Sequence, residues 1–358
     1  LAIGIWAAVA SGGAAIGPVV GGVLLEYFWW GSVFLINVPV VLAVLPFAWR
    51  LIPHCGGENK SPYDIIGSVQ IMAGLVGCIY ALKELSKAAP SFTALAIAAA
   101  IGVVSLWLFV RRQRRARYPM IDFSLFQNRL FAGGVGVALV SMIALVGVEL
   151  VLTQRLQLVL ELTPLQAALF ILPIPLASAL AGPLTGLLLP RFGERSMILG
   201  GFILTGLGIA GLALLYQSSL VLQLICLFIA GFGLGGVITA ASTAIMLNAP
   251  EEKSGMAASI EDVSYELGGV LGITLLGGLM TAIYSHSLAL PDSLPVSDIA
   301  YDSIDEALRL AANLAADQAE QLKQLARLAF DRAFIIVLIA AATLMALGAG
   351  VAKMALRK

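Results

Sequence analysis

Charge is what this sequence has least of. Only 12% of its 358 residues are Asp, Glu, Lys or Arg, against about 25% in a soluble domain. That scarcity excludes a soluble globular enzyme, a disordered chain and a nucleic-acid binder, none of which could solvate or bury such a surface. The 21 basic and 21 acidic residues cancel, so no global field steers a polyanion. Histidine occurs only at His54 and His286, and cysteine only at Cys55, Cys78 and Cys226. Neither type has metal or redox spacing. The histidines read as loop residues, the cysteines as free thiols packed like small hydrophobes, and no metal site is expected. No P-loop, His-Glu-x-x-His or Gly-x-Ser-x-Gly occurs. ATP-driven and enzymatic chemistry are therefore not expected.

What the chain has is apolar length: 60% of it is AVILMFWYC and its mean hydropathy is +0.97. The runs are continuous and lack the period-two alternation of barrel strands, so a polytopic all-α membrane protein is expected. A crossing takes about 20 apolar residues. Ten candidate spans follow: A 1–24, B 33–52, C 65–82, D 92–110, E 131–152, F 165–189, G 196–216, H 219–247, I 255–285 and J 333–353. H and I exceed one straight crossing and should include tilted or extramembrane ends. Arg111, Arg112, Arg114, Arg115, Arg117 and Arg129 fall between D and E, which places that connection in the cytoplasm. Alternation then puts B–C, F–G, H–I and the C-terminus inside, where Arg50, Lys60, Arg191, Arg195, Lys253, Lys353, Arg357 and Lys358 lie. The short outer loops hold only Lys83, Lys87 and Arg155. The chain begins at Leu1, inside an apolar run, so a fragment lacking its N-terminal part is expected.

The connection 286–332 is long and polar and should lie outside. Leu308, Ala311, Ala312, Ala315, Leu322 and Leu325 recur at helical spacing, which predicts one or two amphipathic helices serving as a surface cap or as a lid over the outer mouth.

In span A, Gly13, Gly17 and Gly21 recur every four residues and predict a close helix–helix seam, with a kink at Pro18. The fuller pattern, Gly13-x-x-x-Gly17-Pro18-x-x-Gly21-Gly22, resembles the antiporter motif in the fifth helix of major facilitator superfamily drug exporters. Trp30-Gly31 through Asn37-Val38-Pro39 resembles the start of the sixth helix, and Asp64-Ile-Ile-Gly67 the start of the seventh in the 14-helix drug:proton antiporter branch. Leu162-Thr163-Pro164 through Leu172-Pro173 and Pro190-Arg191-Phe192-Gly193 continue the likeness to quaternary-ammonium multidrug antiporters, which covers essentially the whole chain. The resemblance implies a major facilitator fold with about ten transmembrane helices, helices 5–14 of 14. Residues 1–53 would close the N-terminal bundle, 54–118 would be linker helices 7–8, and 119–358 the C-terminal six-helix bundle. Arg191, Gly193 and Arg195 resemble a weak second copy of the family's cytoplasmic gating motif.

Span I carries Glu261, Asp262 and Glu266 in a segment otherwise fit for the membrane. An acid at a helix centre costs roughly 2.5–3.5 kcal/mol on insertion scales, so such residues are functional candidates. Glu266 should lie about 16 Å along the helix, close to the midplane, with Asp262 one turn nearer the cytoplasm on the same face and Glu261 rotated about 100° away. Tyr265 can donate a hydrogen bond or offer a π face to a cation. The bland alternative leaves these acids at the cytoplasmic end, snorkelling or paired with Lys253. Glu149 reads either as a cavity acid or as an outer-rim partner of Arg155. Span F is rich in Pro and Gly, as helices lining transporter cavities are. Some relatives carry an acid where Ser178 stands, so a preference for divalent cations is in doubt here. The resemblance further implies protons or substrate at Glu266, Asp262 and Glu261, and rocking of A, F and I.

The reading is a proton-coupled exporter of lipophilic cationic drugs and biocides, such as quaternary ammonium compounds and dyes. It would sit in the cytoplasmic (inner) membrane as a multi-pass monomer embedded in lipid, using the proton gradient and no cofactor. An exporter of a neutral or anionic metabolite is one alternative, although no span has a mid-membrane basic residue. A non-transporting scaffold or sensor is another, and it needs no acids in span I.

Overall fold

A computed structural model describes residues 2–51, 64–85, 90–291, 294 and 297–355. His54, Cys55, Lys60, Lys87, Arg357, Lys358 and the expected boundary at residue 53 lie outside the described residues. The helices are α1 (Ala2–Tyr27), α2 (Ser32–Leu35), α3 (Asn37–Leu51), α4 (Ile65–Leu85), α5 (Phe92–Gln113), α6 (Arg129–Gln154), α7 (Pro164–Ile171), α8 (Pro173–Leu215), α9 (Leu220–Leu247), α10 (Ser254–Ser287), α11 (Ile304–Ala311) and α12 (Ala316–Ala355).

Among the described residues nine helical stretches are long and apolar enough to cross a membrane. One of them, Pro164–Leu215, is two crossings, which restores the ten expected. Its backbone leaves helical geometry at Gly193, with φ 76° and ψ 159°. Along the first limb of α8, Ile174, Ser178 and Gly182 meet Gly231, Gly235 and Thr239 of α9 in the same order. Along the second limb, Gly201 and Gly208 meet Gly233 and Ala230 in reverse order. The limbs are therefore antiparallel, and spans F and G share an almost loopless turn. Only glycine holds that positive φ without strain.

The helix ends follow local chemistry. Thr163 caps α7 in a capping box with Gln166, and Pro164 occupies the first turn, where its missing N–H costs nothing. Asn128 caps α6 by accepting from Leu130 N at 2.9 Å, and Ser303 caps α11. At its outer end α6 widens into a π-helical turn, Arg155–Val159, which turns Arg155 and Leu156 inward.

The core lies among α6, α8, α9, α10 and α12. Close packing there depends on missing side chains. A Cβ at Gly231, Gly233 or Gly235 would overlap the carbonyls of Ile174, Gly201 and Ser178, so α9 is seated between the two limbs of α8. Gly268 and Gly272 seat α10 on α6 in the same way. Helices α4 and α5 form a hairpin, closed by Gly77 against Gly102 and tied at its cytoplasmic end by Arg112, whose Nε lies 2.9 Å from both oxygens of Asp64. None of the α3 side chains is buried.

Two expectations change here. The glycine stripe of span A is not a helix–helix seam among the described residues: a Cβ at Gly13 or Gly17 would meet nothing within 4 Å. The seam with α8 uses the opposite face. Gly4, Ser11, Ala15 and Gly22 lie within about 40° of one another at 100° per residue, whereas Gly13 is half a turn away. Gly4 lies on Gly182, and Gly22 on Leu165. The second change concerns 286–332. The region forms one short helix, α11, while its second helical stretch runs without a break into the last span as α12. Ala307, Ala311, Leu322 and Ala326 are buried, but Ala312 and Ala315 are exposed because the helix stops between them.

The charge-derived orientation gives a direct test. In a chain whose native cysteines are replaced by alanine, Ser297→Cys is expected to react with an impermeant maleimide on intact cells. Ser196→Cys, beside the Gly193 turn, is expected to react only after permeabilisation. The reverse pattern would invert the topology.

Candidate functional site

The midpoint of the α1–α8 seam is polar. The hydroxyls of Ser11 and Ser178 lie 3.0 Å apart and hydrogen-bond. They border a cavity of about 230 Å³ that is also lined by Met142, Glu149, Pro175 and Tyr265. Glu149 comes from α6 and Tyr265 from α10, so four helices contribute polar groups to one space inside the span region. Behind Tyr265 stands Glu261, only 2% exposed. The Tyr265 hydroxyl donates to Glu261 Oε1 at 3.1 Å, and the Ser242 hydroxyl of α9 also engages this carboxylate. Tyr265 thus joins a buried acid to the cavity wall.

Glu149 also lines a second, outer cavity of about 490 Å³, together with Gly17, Pro18, Gly21, Gly22 and Ile273. Most of the antiporter-like motif therefore borders open volume and faces an acid across it. Asp262 and Glu266 are exposed on α10. Glu266 shares a face with Ile273 seven residues later, within about 20°, and so points to the same side as the outer cavity. The expected geometry of span I holds: Asp262 and Glu266 share one face and Glu261 another. Pairing with Lys253 does not occur, because Lys253 Nζ binds Asp122 Oδ2 at 2.6 Å.

The rim pairing of Glu149 with Arg155 is likewise replaced. Arg155 Nε donates to Asp331 Oδ1 at 2.8 Å, and its guanidinium faces the adjoining rings of Tyr216 and Phe334, 4.9 and 5.3 Å from their centroids. The π-helical turn carries Arg155 toward α12 and leaves Glu149 to the cavities. Arg327 of α12 also pairs with Glu161, so the outer segment is fastened to the α6–α7 connection at two points.

On the side that the charge bias assigns to the cytoplasm, a vestibule of about 880 Å³ is lined by Gly4, Thr239 and Thr243 and by Gly193, Glu194 and Arg195 of the α8 turn. Arg191 is exposed and lies over the ring of Phe192, at 5.5 Å. Two ion pairs brace this side. The Arg112 hydrogen bond holds the Asp64 carboxyl down at about 2, and that of Lys253 holds Asp122 down at about 2. Both values lie below the ordinary carboxylate range. Their contribution to stability is complete above that range and is lost only as pH falls toward about 2. Acidification to about pH 5 is therefore expected to leave both braces intact. The stabilisation that Lys253 gains from Asp122, read as the thermal-unfolding difference between wild type and Asp122→Asn, should be the same at neutral pH.

Sequence reasoning missed Ser11, Ser242 and Asp331. Ser11 sits in a small-residue run and reads as packing. Asp331 lies in a charged stretch with no pattern that marks it out.

Apolar crossings surround a central space lined by a carboxylate and hydroxyls, the layout of a polytopic membrane transporter. The chain belongs to the Major Facilitator Superfamily, whose family model matches residues 1–273. It is 39% identical over 350 residues to the methyl viologen resistance protein SmvA of Salmonella typhimurium, covering 97% of this chain and 71% of that protein. It is 36% identical over 361 residues to the multidrug efflux pump LfrA of Mycolicibacterium smegmatis, covering 100% and 71%. With the multidrug resistance protein Stp of Mycobacterium tuberculosis it shares 31% identity over 312 residues, covering 86% and 58%. The chain is a multi-pass protein of the cytoplasmic membrane that handles small molecules.

Proposed function

We propose that this protein exports lipophilic cations in exchange for protons, using no cofactor beyond the proton gradient. The observation that carries the reading is the placement of Glu149 and Tyr265 on one cavity at the α1–α8 seam, with Glu261 hydrogen-bonded behind Tyr265. A carboxylate in low dielectric is stabilised either by a proton or by a cation, and competition between the two is the coupling. Tyr265 adds a π face for a quaternary or aromatic cation. Glu149 brings to this cavity the carboxylate that Ser178 does not. That favours acceptance of a dication such as methyl viologen, the compound in SmvA's name. Glu266 and Asp262, on the outer-cavity side of α10, would take protons or substrate as the cavity opens. We assign 119–358 as the six-helix C-terminal bundle, 54–118 as linker helices and 1–53 as helices 5–6 of the 14-helix plan. The Gly13–Gly22 motif lines the path, the Arg191–Arg195 turn forms the cytoplasmic gate, and the protein works as a monomer.

The test is efflux of methyl viologen and of a lipophilic cationic dye from cells expressing the full-length protein, with and without a protonophore. Efflux is expected to stop when the gradient collapses. Glu266→Gln, which imitates the protonated state at nearly constant volume, is expected to abolish coupled efflux. Asp262→Asn should weaken it less. Efflux that survives the protonophore, or a normally expressed Glu266→Gln protein with full efflux, would defeat the proposal.

A further inference from the structure

We propose that the cytoplasmic end of the bundle holds an anionic phospholipid in a groove between α6, the second limb of α8 and α12. The groove has a volume of about 700 Å³ and is walled by Val137, Val140, Phe202, Leu344, Leu347 and Val351, with Phe126 and Arg129 also lining it. Every lining residue but one is apolar or glycine; the exception is Arg129, at the first position of α6. Missing side chains open the floor. A Cβ at Gly136 would meet nothing within 4 Å, and one at Gly348 would come 3.1 Å from Val140.

The chemistry selects the occupant. A long apolar trough with a single cation at one end matches an amphiphile with an acyl chain and an anionic head. Arg129 makes no hydrogen bond or ion pair with another described residue, so its charge is uncommitted. It stands at the end of the trough that the basic residues between α5 and α6 assign to the cytoplasmic leaflet, the depth at which phosphate headgroups sit. A second cation is close by. Arg114 lies over the ring of Phe123, 5.9 Å from its centroid, and Phe123 leans on Phe126, with ring centroids 6.4 Å apart. A lipophilic cation, the substrate class proposed above, is disfavoured here because no acid lines the groove. The site is thus separate from the transport cavity. A zwitterionic lipid would offer Arg129 a phosphate but would bring its own cation beside it.

The test uses full-length protein in detergent, titrated with phosphatidylglycerol or with phosphatidylcholine of the same acyl chains and read by native mass spectrometry. Wild type is expected to retain phosphatidylglycerol in preference. Arg129→Gln should lower that retention about five- to tenfold, to the phosphatidylcholine level, since one basic residue at the surface contributes about that factor. Arg129→Lys should keep part of the preference, which separates loss of charge from loss of fold. Gly136→Leu should fill the trough and reduce retention of both lipids, with efflux activity reporting that the protein is folded. Equal retention of the two lipids by wild type, or an unchanged preference in Arg129→Gln, would overturn the proposal. So would a lipid-independent dimer masking the groove.

Discussion

Replacing Glu149 with Gln is expected to abolish efflux of methyl viologen and to cut efflux of a monovalent lipophilic dye at least about tenfold, the scale of one lost charge-assisted contact. Glu149 is the single carboxylate common to the central and outer cavities. A substrate passing outward along the α1–α8 seam therefore meets it in both. Glutamine keeps the shape and removes the charge, so membrane insertion and expression should be unaffected. The comparison that isolates the effect is Glu161→Gln, an exposed acid on the same side that pairs with Arg327. It should leave efflux near wild type. The measurement is the initial rate of energised efflux at matched expression. Equal losses in the two variants would mean that charge on the outer side, rather than in the cavity, draws the cation out.

The second large effect concerns stability. Arg155 is 5% exposed, bound to Asp331 and in contact with two aromatic rings. Replacing it with Met leaves the half-buried Asp331 without its partner. Breaking a fully buried pair from one side costs about 3–5 kcal/mol, and with Asp331 19% exposed the loss here should lie below that, at about 2 kcal/mol. The midpoint of thermal unfolding in detergent should fall accordingly. Replacing both partners, Arg155→Met with Asp331→Met, should recover much of the loss, because two apolar groups in place of a buried pair are close to neutral. If the double variant were as unstable as the single one, the cost would lie in the lost ring contacts and not in the stranded carboxylate.

The ten crossings were legible because hydropathy acts residue by residue, without regard to partners. Even the break between spans F and G, where the backbone runs on almost as one helix, was visible as Pro190-Arg191-Phe192-Gly193. The shared face of Asp262 and Glu266 followed from helical spacing alone. Partner choice did not. Arg155 lies six residues from Glu149 but 176 from Asp331, and periodicity carries no information at that range. Nor could the sequence tell which glycine face of α1 meets α8, since Gly13–Gly17–Gly21 and Gly4–Gly22 are both stripes of small residues. A phase difference of half a helical turn separates a packed seam from a cavity lining. Only the position of α8 decides between them.

The seating of α9 between the two limbs of α8 has a mechanical meaning. Its glycines touch the two limbs by turns, Gly231 and Gly235 on one side and Gly233 on the other. Three successive crossings are thereby keyed together like the teeth of a spline. Such a unit resists sliding along its own axis but transmits a tilt undiminished from one membrane face to the other. The hydroxyl of Ser178 rides on this unit and meets Ser11 across its edge. A small rotation of the keyed helices would part that contact at the centre of the membrane while their own packing stayed unchanged.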